Sequence, residues 1–188
     1  GISSSYNFSG YYDGGGYEIS GLYTQAGTTS TYNYQGLFGY IYNRGTDYVS
    51  VQDVIITDSE IQGYEYVGAI AGYVGRHSNQ YGVYIYNCTS YASVSGAESV
   101  GGIIGQLIDS SATIENCHNF GEVTATNTYG YVGGIIGYCG AGNNTLLSLS
   151  NSSNHALIQG VNYVGGIAGS LSSTTGEIFN CYNVGEII

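Results

Sequence analysis

The 188-residue sequence contains no Pro, Trp, Met or Lys, and its only permanent cations are Arg44 and Arg76. Two cations against 13 acids, a net charge of −11, exclude the basic footprint that holds phosphates. Nucleic acid is therefore not an expected partner. Charged residues make up 8%, where ~25% is usual. No apolar run approaches the ~20 residues of a membrane helix, so no membrane insertion is expected. The first residue is not Met and no signal peptide is recognisable, as in a processed or excerpted chain. Good helix formers are absent or few, while Gly, which costs a helix ~1 kcal/mol per residue, occurs 32 times. Hydrophobics at 43%, many of them Tyr, Ile and Val, argue against disorder. Short runs of those residues and Thr, set between Gly, Asn and Ser, read as strands.

Self-similarity then organises the chain. Tyr66-Val67-Gly68-Ala69-Ile70-Ala71-Gly72 recurs at Ser99–Gly105, Tyr131–Gly137 and Tyr163–Gly169, and the leading Gly steps by 33, 32 and 32. A degenerate copy, Gly36-Leu37-Phe38-Gly39, precedes them. A second ladder has the form apolar-x-Asn-small, with Asn87, Asn116, Asn151 and Asn180 preceded by Asp53. A third runs Ile61, Val94, Val123, Ile158, Ile187. Such a period signals a repeat architecture. Three strand-like segments per repeat predict an all-β parallel β-solenoid, three-sided, of about five 32–33-residue coils with rungs ~4.8 Å apart. An antiparallel propeller or sandwich is the competing architecture. Residues 1–34 lack the Gly strand and form an N-terminal extension, cap or donor segment; residues 35–188 form the repeats. Strand parity with the Ile two residues earlier points the Asn ladder inward, where stacked amides can bond to one another.

The pattern Tyr-Val-Gly-Gly-Ile-Ile-Gly followed by Ile114-Glu115-Asn116-Cys117-His118-Asn119-Phe120-Gly121-Glu122-Val123 resembles the GLUG motif. The copy from Ile178 to Ile187 is nearly as close. The copy from Leu149 departs, with Ser152 for Cys and Ala156 for Gly. The resemblance extends over residues 36–188. It implies extracellular display on a stalk or fibre, as in large bacterial surface proteins, adhesin-like proteins and IgA-cleaving peptidases. It carries over no catalytic residue.

Chemistry-bearing constellations are thin. His77, His118 and His155 show no metal-protease spacing, and no Cys pair is close, so surface turns are their expected place and no metal or other cofactor is expected. The four-fold Gly-Gly strand is not followed by a helix, so it is not read as a phosphate loop. Polysaccharide lyases need clustered cations, which are missing. Asp53, Asp58, Glu60 and Glu65 cluster in sequence without a calcium-loop spacing and read as solvated charge, not as a glycosidase pair. Thr124-Ala125-Thr126 occurs once, too little for an ice-binding face. No enzyme is expected. Of the 22 Tyr, many suit strands; Tyr11-Tyr12, Tyr40 with Tyr42, and Tyr84 with Tyr86 are candidates for an exposed contact face.

Cys88, Cys117 and Cys181 share one ladder and Cys139 takes the place of Leu107 and Leu171. Rung spacing permits a Cys88–Cys117 disulfide, with Cys139 and Cys181 left as a pair; buried thiols are the alternative. Of four Asn-x-Ser/Thr acceptors, Asn7 and Asn143 lie in loop-like sequence and could carry glycan, whereas Asn87 and Asn151 fall in the ladder read as inward. The final copy stops on the third ladder at Ile187-Ile188, and the first segment offers Ile2, Tyr6 and Phe8 for pairing. Open coil ends recruit strands, so head-to-tail self-association into a surface filament or stalk is expected. The alternative is a monomeric adhesin module that binds carbohydrate or host protein through a Tyr-rich face.

Overall fold

Every coil of this chain must return to the same place above the last, and the residues at its corners make that return. The computed structural model describes residues 7–25, 27–44, 47–76, 82–108 and 111–188. Ile2, Tyr6 and His77 lie outside them, as do the side chains of Arg76 and Asn143. All strand pairings among the described residues are parallel. The chain is a parallel β-solenoid of about five turns.

Each turn has five short strand segments in place of the three expected, arranged in four sheets. Side one stacks Phe38–Asn43, Ala71–Arg76 and Ile104–Ile108. Side two stacks Tyr11–Asp13, Val49–Gln52, Val83–Tyr86 and Ser111–Glu115. In the last two turns both sides fuse into the single strands Ile136–Ser150 and Ala168–Phe179. Side three runs from Glu18–Ser20 through Ile55–Thr57, Thr89–Ser90, His118–Asn119 and Ser153–Asn154 to Tyr182–Asn183. Side four stacks Glu60–Gln62, Ser93–Gly96, Val123–Ala125 and Ile158–Gln159. Side five stacks the four Val-Gly pairs, Val67–Gly68 to Val164–Gly165. The Gly run read as one strand is thus two, because the chain bends between Gly101 and Ile104.

Stacked aliphatics fill the bore: Ile103, Ile104, Leu107, Ile114, Ile135, Ile136 and Leu149 are fully buried. A second column beside them is polar. Asn119 Nδ2 donates to Asn154 Oδ1 at 2.7 Å, and Asn154 Nδ2 to Asn183 Oδ1 at 2.7 Å. Each amide also donates within its own turn, to the carbonyls of Gly121, Ala156 and Gly185. This is the inward asparagine ladder, and it is not the one the sequence suggested. The second Gly of each Gly-Gly pair makes room for it. A Cβ on Gly134 would lie 2.4 Å from Asn154 Cβ and 2.4 Å from the Gly166 carbonyl oxygen; one on Gly102 would lie 2.4 Å from Asn119 Cγ. One turn earlier the smaller Ser90 holds the Asn place, and Ala69 stands where the others have Gly.

In the N-terminal segment, Tyr11–Asp13 pairs with side two and Glu18–Ser20 with side three of the next turn, while Phe8 bridges Ile41. Residues 8–23 therefore lie as a partial coil on their own chain, where Phe8, Tyr12, Ile19 and Leu22 pack against the core.

Gly134→Ala is expected to cost about 1–3 kcal/mol by overpacking, and a thermal melt should show it as a lower midpoint. The mirror change Ala69→Gly should be milder, since no large neighbour has to move. Equal midpoints for wild type and Gly134→Ala would sink the pairing of Gly with buried Asn.

Candidate functional site

Asp53, Asn87, Asn116, Asn151 and Asn180 do stack, but on the outside. All five have φ between 50° and 53°, the left-handed region in which Asn and Asp are the best tolerated residues after Gly. This turn ends side two and breaks its in-out alternation, so each side chain that parity would send inward swings out. The four Asn are exposed. Along the corner Asn87 Nδ2 donates to Asp53 Oδ1 at 3.1 Å, Asn116 Nδ2 to Asn87 Oδ1 at 2.8 Å, and Asn180 Nδ2 to Asn151 Oδ1 at 3.3 Å. Asn151 instead reaches Glu115 Oε1 at 3.3 Å. The inward assignment is thus corrected, and burial does not close Asn87 or Asn151 to a glycan. Asn7 is half-buried and accepts from Arg44 Nε at 3.2 Å. Asn143 falls within the strand Ile136–Ser150, not in a loop.

The next residue of that corner does point in. Cys88 and Cys117 are fully buried and Cys181 half-buried, and no disulfide joins any of the four cysteines. Each corner thiol donates back to the carbonyl two residues earlier, at 3.3 Å to Tyr86, 3.4 Å to Glu115 and 3.4 Å to Phe179. Ser152 makes the same bond at 2.8 Å to Ser150, which explains why Ser replaces Cys there without loss of the turn. Cys139 lies on side one between Leu107 and Leu171, so the structure does not bring it to Cys181. Burial, and then the neighbouring Cys88, push the Cys117 thiol well above its ordinary range.

On side three a hydrogen-bonded chain links Asn116, His118, Ser153 and His155. His118 Nε2 lies 3.0 Å from Asn116 Oδ1, His118 Nδ1 lies 2.8 Å from Ser153 Oγ, and Ser153 Oγ lies 2.9 Å from His155 Nε2. Asn116 uses its amide nitrogen on Asn87, so its oxygen accepts from His118 Nε2. His118 Nδ1 then accepts the Ser153 hydroxyl, whose oxygen accepts from His155. The order Asn-His-Ser suggests nucleophile chemistry, but Ser153 is fully buried and no substrate reaches it. The chain fastens two turns together. His155 also stacks on Phe120 at 4.5 Å.

The acidic residues separate in space. Asp53 belongs to the corner, and Glu65 accepts from Asn33 Nδ2 at 2.8 Å. Asp58 and Glu60 line a groove of about 880 Å³ with Glu18 and Tyr23. Among the described residues no three His, Cys, Asp or Glu gather as metal ligands do. Tyr40 stacks on Tyr73 at 4.5 Å, and burial followed by Glu65 pushes Tyr66 beside them up to about 12. Tyr11, Tyr48 and Tyr84 form an outward row on side two, with edge contacts of 5.1 and 5.6 Å. Tyr48, which no repeat pattern flagged, is half exposed there. At the last turn Ile187 bridges Ile158, and Ile188 exchanges backbone bonds with Ile158 and Gly160.

Two outcomes follow from these environments. Burial and the nearby His155 lower the His118 pKa from its usual 6.5, so the unfolded chain takes up this proton first. The stability from this site is intact above pH ~6.5 and falls as pH drops through 6.5 toward the lowered folded value. Melting midpoints at pH 7.5 and 5.5 should therefore differ more for wild type than for His118→Gln; an equal difference would refute it. In native alkylation, Cys181 should react before Cys88, Cys117 and Cys139, and unfolding should release all four. Faster labelling of Cys117 than of Cys181 would contradict the burial order.

The family model described as the GLUG motif matches residues 96–124, one full repeat from the end of side four to the next side four. No curated protein matches the sequence. A similar solved structure is that of a Bacteroides ovatus protein provisionally named an immunoglobulin A1 protease. It is 22% identical with a TM-score of 0.64, and the match covers 94% of this chain and 62% of that one. At that identity the likeness is one of fold, and this chain spans less than two thirds of its neighbour. The chain is a parallel β-solenoid that carries the GLUG motif.

Proposed function

We propose that this chain is a structural segment of a secreted or surface-displayed protein, joining head to tail with further copies into a filament or stalk. The GLUG motif and the likeness to a provisionally named IgA1 protease support surface display. Among the described residues no helix is long and apolar enough to cross a membrane. The reading gives the chain no catalytic part and no cofactor.

One observation carries the assembly. Core positions that are sealed one turn earlier lie open in the last turn. Leu171, Ile178 and Ile187 are 45%, 43% and 45% exposed, while Cys139, Leu149 and Ile158 in the same ladders are at 0%. In this reading a further copy supplies the next rung, since any rung added to an apolar bore gains both hydrogen bonds and apolar burial. The complementary end is the partial coil of residues 8–23, whose outer edge has no strand beyond it among the described residues. Division at residues 34 and 35 is part of this reading: the first segment is the head, the repeats the shaft. Ile2 and Tyr6 would contribute to the head, and Phe8 acts there by anchoring the cap to Ile41 and Phe38.

Charge sets the conditions. Asp13 and Glu18 stand on the head, Glu177 and Glu186 on the tail, and like charges oppose docking until salt screens them. Light scattering and negative-stain microscopy should show monomers at low salt and fibres at higher salt and concentration. Ile178→Asp with Ile187→Asp should stay monomeric with an almost unchanged melting midpoint. A wild type that remains monomeric at every salt concentration would reject assembly.

A further inference from the structure

The lateral face of side two carries a second feature that does not depend on how the ends are filled. Its outward column, read rung by rung, is Tyr11, Ser50, Tyr84, Thr113, Ser148 and Glu177. The alternate residues Val51, Ile85, Ile114 and Leu149 are buried in the bore, so the column faces outward, with Ser50 covered at 6% exposure. Tyr84 divides two hollows along it. One of about 230 Å³ lies against Tyr48, Ser50 and Tyr86; the other, of about 380 Å³, lies against Thr113, Ser148 and Glu177. Edge contacts with Tyr48 at 5.6 Å, and of Tyr48 with Tyr11 at 5.1 Å, hold the rings in place before anything binds. The rings are nevertheless accessible, Tyr48 at 48% and Tyr84 at 38%.

We propose that this cleft binds a linear, neutral oligosaccharide laid along the solenoid axis. A rigid phenol ring offers a flat apolar face for the C–H side of a pyranose, at small entropic cost. The hydroxyls of Thr113 and Ser148, both half-buried, can each donate and accept, which matches sugar hydroxyls. Charge selects among the remaining occupants. Among the described residues the hollows are lined by one carboxylate, Glu177, and by no cation, so acidic glycans and nucleic acids lack a counter-charge while a neutral chain has nothing to repel it. Glu177 can accept from two hydroxyls at the far end. Spacing supplies a further match, since rungs ~4.8 Å apart advance by nearly one sugar unit of an extended chain. From Ser50 to Glu177 is four rungs, or ~19 Å, which holds about four units.

The test uses the intact protein with neutral hexasaccharides of glucan, mannan, xylan and galactan, and with heparin and polygalacturonate as acidic probes. At least one neutral hexasaccharide should bind by calorimetry with Kd of about 1 mM or tighter, and affinity should stop rising beyond about four units. Tyr84→Ala should weaken it at least about tenfold, the loss of one stacked ring. Tyr17→Ala, at a ring 79% exposed elsewhere, should leave it unchanged. Should Tyr84→Ala unfold, Ser148→Trp, which fills the larger hollow from the outer surface, should abolish binding in a folded protein. No neutral binding at about 10 mM sugar, binding of the acidic probes alone, or binding indifferent to Tyr84→Ala and Ser148→Trp would overturn the proposal. Fibre formation is read separately, so either reading can fail without the other.

Discussion

Parallel pairing of each turn with the one beneath it governs everything else in this molecule. A strand five residues long or shorter has too few contacts to persist alone, and here many are only two residues long. They hold because each is sandwiched between two copies of itself. The price is that the backbone must close at the same point in every turn. Corners are therefore more constrained than strands, and the residues that recur most faithfully are those of the corners.

Two kinds of corner illustrate how side chains serve that closure. Where side two ends, the left-handed backbone is supplied by Asp or Asn, whose short polar side chains tolerate it and bond to the turn above or below. The following Cys or Ser turns inward and satisfies the carbonyl left by the bend. Where side five meets side one, backbone approaches backbone, and a Cβ on Gly101 would sit 2.0 Å from the Ile104 carbonyl oxygen. Nothing but Gly fits. The second Gly answers a different demand, the volume of the buried Asn, which is why Ala69 is tolerated beside Ser90.

A solenoid built in this way spends its conserved geometry on the interior and leaves the outward columns free to vary. The outer column of side two runs Tyr, Ser, Tyr, Thr, Ser and Glu along its length with no effect on the register beneath. Those columns are what the solenoid offers to a ligand, because the Ser153 hydroxyl and the Cys88, Cys117 and Cys139 thiols are sealed within. In the proposed lateral cleft the low cation content leaves hydroxyls and rings as the contacts among the described residues.

Much of this was written in the sequence. Periodicity alone determined the parallel stacking, the 32–33-residue turn, the register of the Val-Gly pairs and the position of the corner ladder, because a repeat that pairs with itself must place like over like. Inward or outward direction at Asn87 and its equivalents was decided only by the folded backbone: alternation holds along a strand and fails at a left-handed corner. The buried ladder of Asn119, Asn154 and Asn183 had a signal, an Asn recurring three residues after the first with Gly or Ala two beyond. Its burial became legible only when Gly102, Gly134 and Gly166 were seen packed against it. Cys139 and Cys181 looked like partners by elimination, whereas the coil sets them on different sides. The cleft at Tyr84 joins residues from turns well over a hundred positions apart in sequence, from Tyr48 to Glu177. Stacking brings them together, so only the tertiary structure could assemble that surface.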